Sequence, residues 1–275
     1  MLSKLLKYDL SSMLKSFLLI WGAALVLAFV NHFTLGGLHF ESSSFMVSSL
    51  LKVVPFLMFL AIMVSMAVLT LIFVIQRFYN GLLKDEGYLM FTLPVKPWQL
   101  ITSKGISAVL VNIISGIIAI VAIMILFPWK DVGEFIREFW NGLFLNAPIP
   151  VWQIVVLILE FLFMVLVNVA KSIYQIYAAI ALGHQFKKHR VGMAFVMYLL
   201  ISLALSTIAS SILQLIFSSG SITLDTLLDT FSRWNWSFFG SVSFGLWILI
   251  LIAGVQLVAF HIIAERLLSK RLNLE

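Results

Sequence analysis

Gly105 to Phe127 reads GISAVLVNIISGIIAIVAIMILF, without a single Asp, Glu, Lys or Arg. A hydrocarbon core about 30 Å thick is crossed by roughly 20 helical residues at 1.5 Å each, so this stretch is long enough to span it. It does not alternate polar and apolar residues, as the strands of a membrane barrel do. Backbone in lipid has no water to bond, and a helix satisfies its own groups within one segment. Five further blocks read the same way, at 17–35, 51–76, 151–180, 191–217 and 240–263, each with few or no charges.

Composition agrees. Of 275 residues, 62% are hydrophobic and 11% charged, whereas soluble domains carry about a quarter charged residues. A soluble fold of this length could not hide so much apolar surface. The expected fold class is an all-α integral membrane protein with six transmembrane helices in a single domain over 1–275. Lys4, Lys7 and Lys15 precede the first block, but no small-residue cleavage site follows, so that block is read as a retained helix rather than a signal peptide. There is no cysteine, hence no disulfide and no thiolate metal site. The net charge of +6 is read as loop bias in a membrane protein rather than as a nucleic-acid surface.

The distribution of the 18 Lys and Arg residues sets an expected orientation. Lys4, Lys7, Lys15, then Arg77, Lys84, Lys96, Lys104, then Lys187, Lys188, Arg190, and finally Arg266, Lys270, Arg271 all fall in the N-terminus, the second and fourth loops and the C-terminus. The opposite face holds only Lys52, Lys130, Arg137 and Arg233. Cytoplasmic loops carry the excess of basic residues, which puts both termini in the cytoplasm. An even number of spans agrees.

Outside the spans, residues 2–17 carry Leu2, Leu5, Leu6, Met13, Leu14 and Phe17 at helical spacing, with Lys4, Lys7, Ser11 and Lys15 between them. The pattern predicts a short amphipathic helix lying in the membrane interface, its lysines near anionic lipid; the plainer alternative is a cytoplasmic extension of the first span. In the outer loop 128–150, Phe135, Ile136, Phe139, Trp140, Leu143 and Phe144 oppose Asp131, Glu134, Arg137 and Glu138, which predicts a second amphipathic piece, an interfacial anchor at headgroup level with a lid over an exit path as the alternative. In the outer loop 218–239, Thr223 to Leu228 predicts a short helix followed by the interfacial pair Trp234 and Trp236.

The second loop, 77–104, is the most informative. Gly87 permits a break in the helix leaving the second span, and Pro97 suits the first turn of the next helix. Between the breaks lies the apolar run Tyr88-Leu89-Met90-Phe91-Thr92-Leu93. An apolar patch outside lipid calls for cover: it can lie on the bilayer, pack on the cytoplasmic ends of its own helices, or dock into the groove of a protein partner. Asp85 and Glu86 beside the patch argue against anionic lipid as its only cover.

The run Asp85-Glu86-Gly87-Tyr88-Leu89-Met90-Phe91-Thr92-Leu93-Pro94, followed by Gln99-Leu100 and Ser103-Lys104, resembles the cytoplasmic loop of bacterial ABC-2-type transporter permeases. A weaker echo lies at Ala181-Leu182-Gly183-His184 and Lys187-Lys188-His189-Arg190. The resemblance implies the ABC-2-type exporter fold with an N-terminal interfacial helix, in the bacterial cytoplasmic membrane. It also implies a second permease subunit, identical or related, and a separate ATPase subunit dimer that binds ATP and Mg. Asp85, Glu86, Gly87, Tyr88, Leu89, Met90, Phe91, Leu93 and Pro94 would then couple to the ATPase, and Gly183, His184, Lys187 and Lys188 would form a second cytoplasmic contact. The cargo implied is a peptide, drug or lipid-like molecule. In keeping with an ATPase in trans, no Gly-rich loop ending in Lys-Ser or Lys-Thr occurs in the chain.

Glu160 falls near mid-bilayer, where carboxylates are costly and functional by default. It could bind a cationic substrate, pair with a partner subunit, carry a proton, or be a protonated side chain hydrogen-bonded within the bundle. Lys171, about 16 Å further along the helix, is too far to pair with it and is read as reaching toward the cytoplasmic edge. Asn112, Asn168, Gln175, Gln214 and Gln256 are read as interhelical hydrogen-bonding groups. Ser115-Gly116 with Ala119, and Ser206 to Ser211, are read as small-residue packing surfaces. His261 and Glu265, four apart, lack the HExxH pattern and are read as a solvated pair. Rival readings are a secondary transporter or channel, an immunity or assembly factor without transport activity, and an intramembrane enzyme. The last would need paired catalytic groups, and Glu160 has no evident partner of that kind.

Overall fold

The computed structural model describes residues 2–36, 45–83, 97–145, 149–186, 189–218 and 238–270. Among these it contains seven α-helices, a short π-helical segment and no strand. They are α1 (Leu2–Gly36), α2 (Phe45–Leu83), α3 (Pro97–Leu126), α4 (Trp129–Trp140), α5 (Val151–Gly183), α6 (Arg190–Ser218) and α7 (Phe238–Lys270), with the π segment at Asn141–Leu145. Every helix but α4 is long and apolar enough to cross a bilayer, which makes six such helices. They coincide with the six apolar blocks of the sequence.

The helices outrun those blocks. Residues 2–17 do not form a separate interfacial helix. They are the first turns of a single 35-residue helix, about 52 Å long at 1.5 Å per residue. Nothing in this stretch breaks a helix: it holds no Pro, and its first Gly is Gly22. Much of the second loop is likewise helical, because α2 continues to Leu83 and α3 begins at Pro97. Pro97 opens its helix as expected, since the first turn needs no N–H from it.

The chain divides into two compact units, Met1–Ala147 and Pro148–Glu275. In the first, α1 packs against α3 and α2, and α2 also touches α3. The buried stripe of α1 is Met13, Phe17, Trp21, Ala24, Ala28 and Asn31, spaced by threes and fours as one helix face requires. Met13, Phe17 and Trp21 meet Met66 and Val111, and Ala28 meets Phe59, Ala122 and Leu126. Lipid removes the hydrophobic drive between helices, so close packing and interhelical hydrogen bonds must hold them. Trp21 Nε1 donates to Ser115 Oγ at 3.0 Å. Asn31 Nδ2 donates to the carbonyls of Leu27 at 2.8 Å and Pro55 at 2.9 Å, tying α1 to α2. Helix α4 is amphipathic as predicted and buries none of its residues.

In the second unit, α5 packs on α7 and, less extensively, on α6. Helix α7 offers Ile250, Ala253, Phe260, Ala264 and Leu268, all buried. Its alanines let backbones approach closely. Gln175 Nε2 donates to Ser202 Oγ of α6 at 2.9 Å, the interhelical role expected of it. Asn168 instead bonds back to Met164 O of its own helix. Ser206, Thr207 and Ser210 are exposed among the described residues and bond carbonyls three residues earlier in α6. The outer segment 219–237, with its predicted short helix and Trp pair, lies outside the described residues.

Candidate functional site

The stripe that seats α1 continues one turn further back, to Asp9. Position 9 stands four residues before Met13, so the packing that buries Met13 and Phe17 also buries this carboxylate, which is 3% exposed. Arg77 of α2 donates to Asp9 Oδ1 from Nη2 at 2.6 Å and from Nε at 3.1 Å. Ser103 Oγ of α3 donates to Oδ2 at 3.1 Å. Lys104 Nζ, on a residue 2% exposed, lies 3.7 Å from Oδ1. The Arg77 guanidinium also stands 5.8 Å from the centre of the Tyr8 ring. A carboxylate out of water is costly unless paired and hydrogen-bonded, and here both oxygens are engaged. One residue of α1 thus ties together the end of α2 and the start of α3.

These two helix ends flank residues 84–96. The expected coupling residues Asp85, Glu86, Gly87, Tyr88, Leu89, Met90, Phe91, Leu93 and Pro94 lie outside the described residues. The helix ends on either side are packed: Phe78 and Leu82 before the segment, and Leu100 and Ile101 after it, are buried. Asp9 was missed in the sequence because it sits among Lys4, Lys7 and Lys15 and reads as surface charge. The available signal was its place on the Met13–Phe17–Trp21 stripe. Arg77 and Lys104 were counted with the loop, but both are helical and face Asp9.

Glu160 occupies the tenth position of α5, about 14 Å from its start. Ser243 and Trp247 are four apart on α7 and so share a face. Ser243 Oγ donates to Glu160 Oε1 at 2.8 Å and Trp247 Nε1 donates to the same oxygen at 2.9 Å. Oε2 is shielded and has no hydrogen-bond partner among the described residues. Of the sequence alternatives, the structure displays hydrogen bonding within the bundle.

At the turn between α5 and α6, Gly183 is buried against α6. A Cβ there would overlap the backbone N and Cα of Ala194, so this glycine serves helix packing. His184 follows as the helix cap. Its Nε2 lies 3.5 Å from Arg190 Nη1, and burial, then the Arg190 charge, hold its pKa below the usual histidine value. His189 sits at φ 55°, a conformation a side chain enters only under constraint. Its carbonyl accepts from Met193 N at 2.9 Å, opening α6. Lys187 and Lys188 lie outside the described residues. His261 is not simply solvated beside Glu265: its ring meets that of Tyr174 edge-on at 5.1 Å.

No family model, no curated protein and no solved structure matches the chain. What fold and sites define is an all-helical, multi-pass membrane protein.

Proposed function

We propose that the chain is the permease subunit of an ABC-2-type exporter, paired with a second permease and driven by a separate ATPase dimer. The observation that carries the reading is the run Asp85 to Pro94, an apolar patch between two spans in a basic, cytoplasm-facing loop. The Asp9 junction supports it physically. An element pushed between α2 and α3 moves helix ends that are clamped to each other and to α1, so force is transmitted rather than absorbed. In this mechanism ATP-driven closure of the ATPase dimer presses the 85–94 element, tilts α2 and α3 and opens a path outward for a peptide, drug or lipid-like cargo. ATP and Mg bind the partner, and both termini face the cytoplasm of the bacterial cell.

Coexpression with an ATPase subunit, should a neighbouring reading frame encode one with a phosphate-binding loop, tests this. The wild-type chain should copurify with that ATPase and stimulate its hydrolysis. Changing Tyr88, Leu89 and Phe91 together to Ser should abolish both. Retained binding and transport in the triple variant would sink the docking role. One observation favours a second reading, a gradient-driven transporter: the Oε2 of Glu160, which has no hydrogen-bond partner among the described residues. That reading predicts proton-coupled flux without any ATPase, lost in Glu160→Gln.

A further inference from the structure

At the end of the first unit away from the Asp9 junction, α3 gives way to α4 at Pro128. This proline is the N-cap of α4, and its carbonyl accepts from Val132 N at 3.1 Å. His32 Nδ1 of α1 donates to the Phe127 carbonyl at 3.1 Å, and the His32 and Trp129 rings lie 5.2 Å apart. The ends of α1 and α3 therefore meet where α4 begins. Depth follows from the sequence of α3. Gly105 to Phe127 carries no charge over 23 residues, about 35 Å of helix, enough to cross a hydrocarbon core about 30 Å thick. Charge returns at Lys130 and Asp131, so α4 starts at the membrane–water boundary.

Helix α4 sorts its side chains into two faces. Val132, Phe135, Ile136 and Phe139 share one face with Trp129 and Trp140, recurring by threes and fours. Val132 is half-buried and the other five are exposed. Among the described residues α4 packs along no other helix. Trp129 and Trp140 are 11 residues apart, three turns of helix, and so look the same way. An upright α4 would separate them in depth by about 16 Å. A flat one puts both at headgroup level, where interfacial tryptophans gather. The exposed apolar surface of α3, at Ile117, Ile120 and Ile123, runs up the chain to Phe127 and Trp129, which are also exposed.

The opposite face decides the kind of lipid. Lys130 and Arg137 stand there against Asp131, Glu134 and Glu138, so it offers no net attraction to anionic headgroups. We infer that α4 lies flat in the leaflet at this end of α1 and α3, with its aromatic face among the upper acyl chains, and that it takes zwitterionic and anionic lipid alike. Ring insertion holds it, not charge. Joined to α1 through His32, α4 keeps the end of α3 at a fixed depth rather than closing as a lid over an exit path. Every residue used belongs to the first unit, and nothing in the inference depends on an ATPase partner.

The chain has no cysteine, so single cysteines can carry a nitroxide label without further change. Full-length protein is reconstituted in vesicles of phosphatidylcholine, alone or mixed with phosphatidylglycerol. Each label is read for collision with oxygen, which concentrates in lipid, and with a water-soluble nickel chelate. Phe135→Cys and Phe139→Cys should place their labels about 5–10 Å below the headgroup boundary, equally in both vesicles. Glu134→Cys and Glu138→Cys should place theirs in reach of the chelate. Labels at 135 and 139 shielded from both reagents would overturn the inference, because protein, either another segment of this chain or a second copy, would then cover the face. Chelate access at 135 and 139 equal to that at 134 and 138 would overturn it as well, and so would a depth reached only with phosphatidylglycerol. An upright helix, which also refutes it, would show as a depth difference of about 16 Å between the labels of Trp129→Cys and Trp140→Cys.

Discussion

Asp9 shows how much one residue's setting decides. Its carboxylate is shared by Arg77, Ser103 and Lys104, and removing it would leave the Lys104 ammonium without that anion at 2% exposure. Breaking one side of a buried ion pair costs about 3 kcal/mol, so Asp9→Asn should lower the stability of the full-length protein by roughly that amount in a denaturation titration. A change within about 0.5 kcal/mol would reduce the junction to a surface contact. His184 allows a pH prediction. Its folded pKa lies below the ordinary 6.5, so the unfolded chain binds the proton more readily. The stability it contributes is complete above that ordinary value and is lost as pH falls from there through the folded value. Melting curves between neutral and mildly acidic pH should show this slope, and His184→Gln should flatten it. At Glu160, Gln keeps an oxygen for Ser243 and Trp247, whereas Ala leaves both donors without it. Glu160→Gln should therefore stay within about 1 kcal/mol of wild type, the scale of one interhelical hydrogen bond, and Glu160→Ala should cost more in the same titration.

At the scale of elements, helix ends matter more than helix centres. α1 has no interruption between its basic first turns and its span, so forces at Asp9 reach Trp21 and Asn31 through a continuous rod. The α5–α6 turn depends on Gly183, where a Cβ would overlap Ala194 backbone that cannot rotate away. Gly183→Val should destabilise by about 2 kcal/mol, as overpacking does. Gly192, on α6, has nothing within 4 Å of an added Cβ. Gly192→Ala should be neutral or stabilising by about 0.5–1 kcal/mol through helix propensity. Parallel thermal melts of the two variants check the contrast. The amphipathic α4 was legible because its periodicity is strong, while the separate interfacial helix expected over 2–17 was not formed. Amphipathic spacing specifies which face is buried; it does not specify where a helix stops.

For the whole molecule, six helices of spanning length set a parity: an even number returns the chain to its starting side. Reporter fusions at the two termini should give the same sidedness, and the basic bias of the loops predicts that this side is the cytoplasm. Reporters on opposite sides would mean that one of the six apolar helices does not cross.

The sequence alone determined the fold class and the six spans, because length and apolarity are local quantities that a bilayer reads directly. It also marked Glu160 as unusual, since a carboxylate in an apolar run stands out without knowledge of its neighbours. Only the tertiary structure placed Ser243 and Trp247 on that carboxylate, separated Gly183's packing from His184's capping position beside Arg190, and gathered Asp9, Arg77, Ser103 and Lys104 from three helices. The reason is physical. A buried charge is recognised by its partners, and Arg77 and Ser103 are 68 and 94 residues away from Asp9, with Lys104 next to Ser103 in the chain, separations that no periodicity encodes.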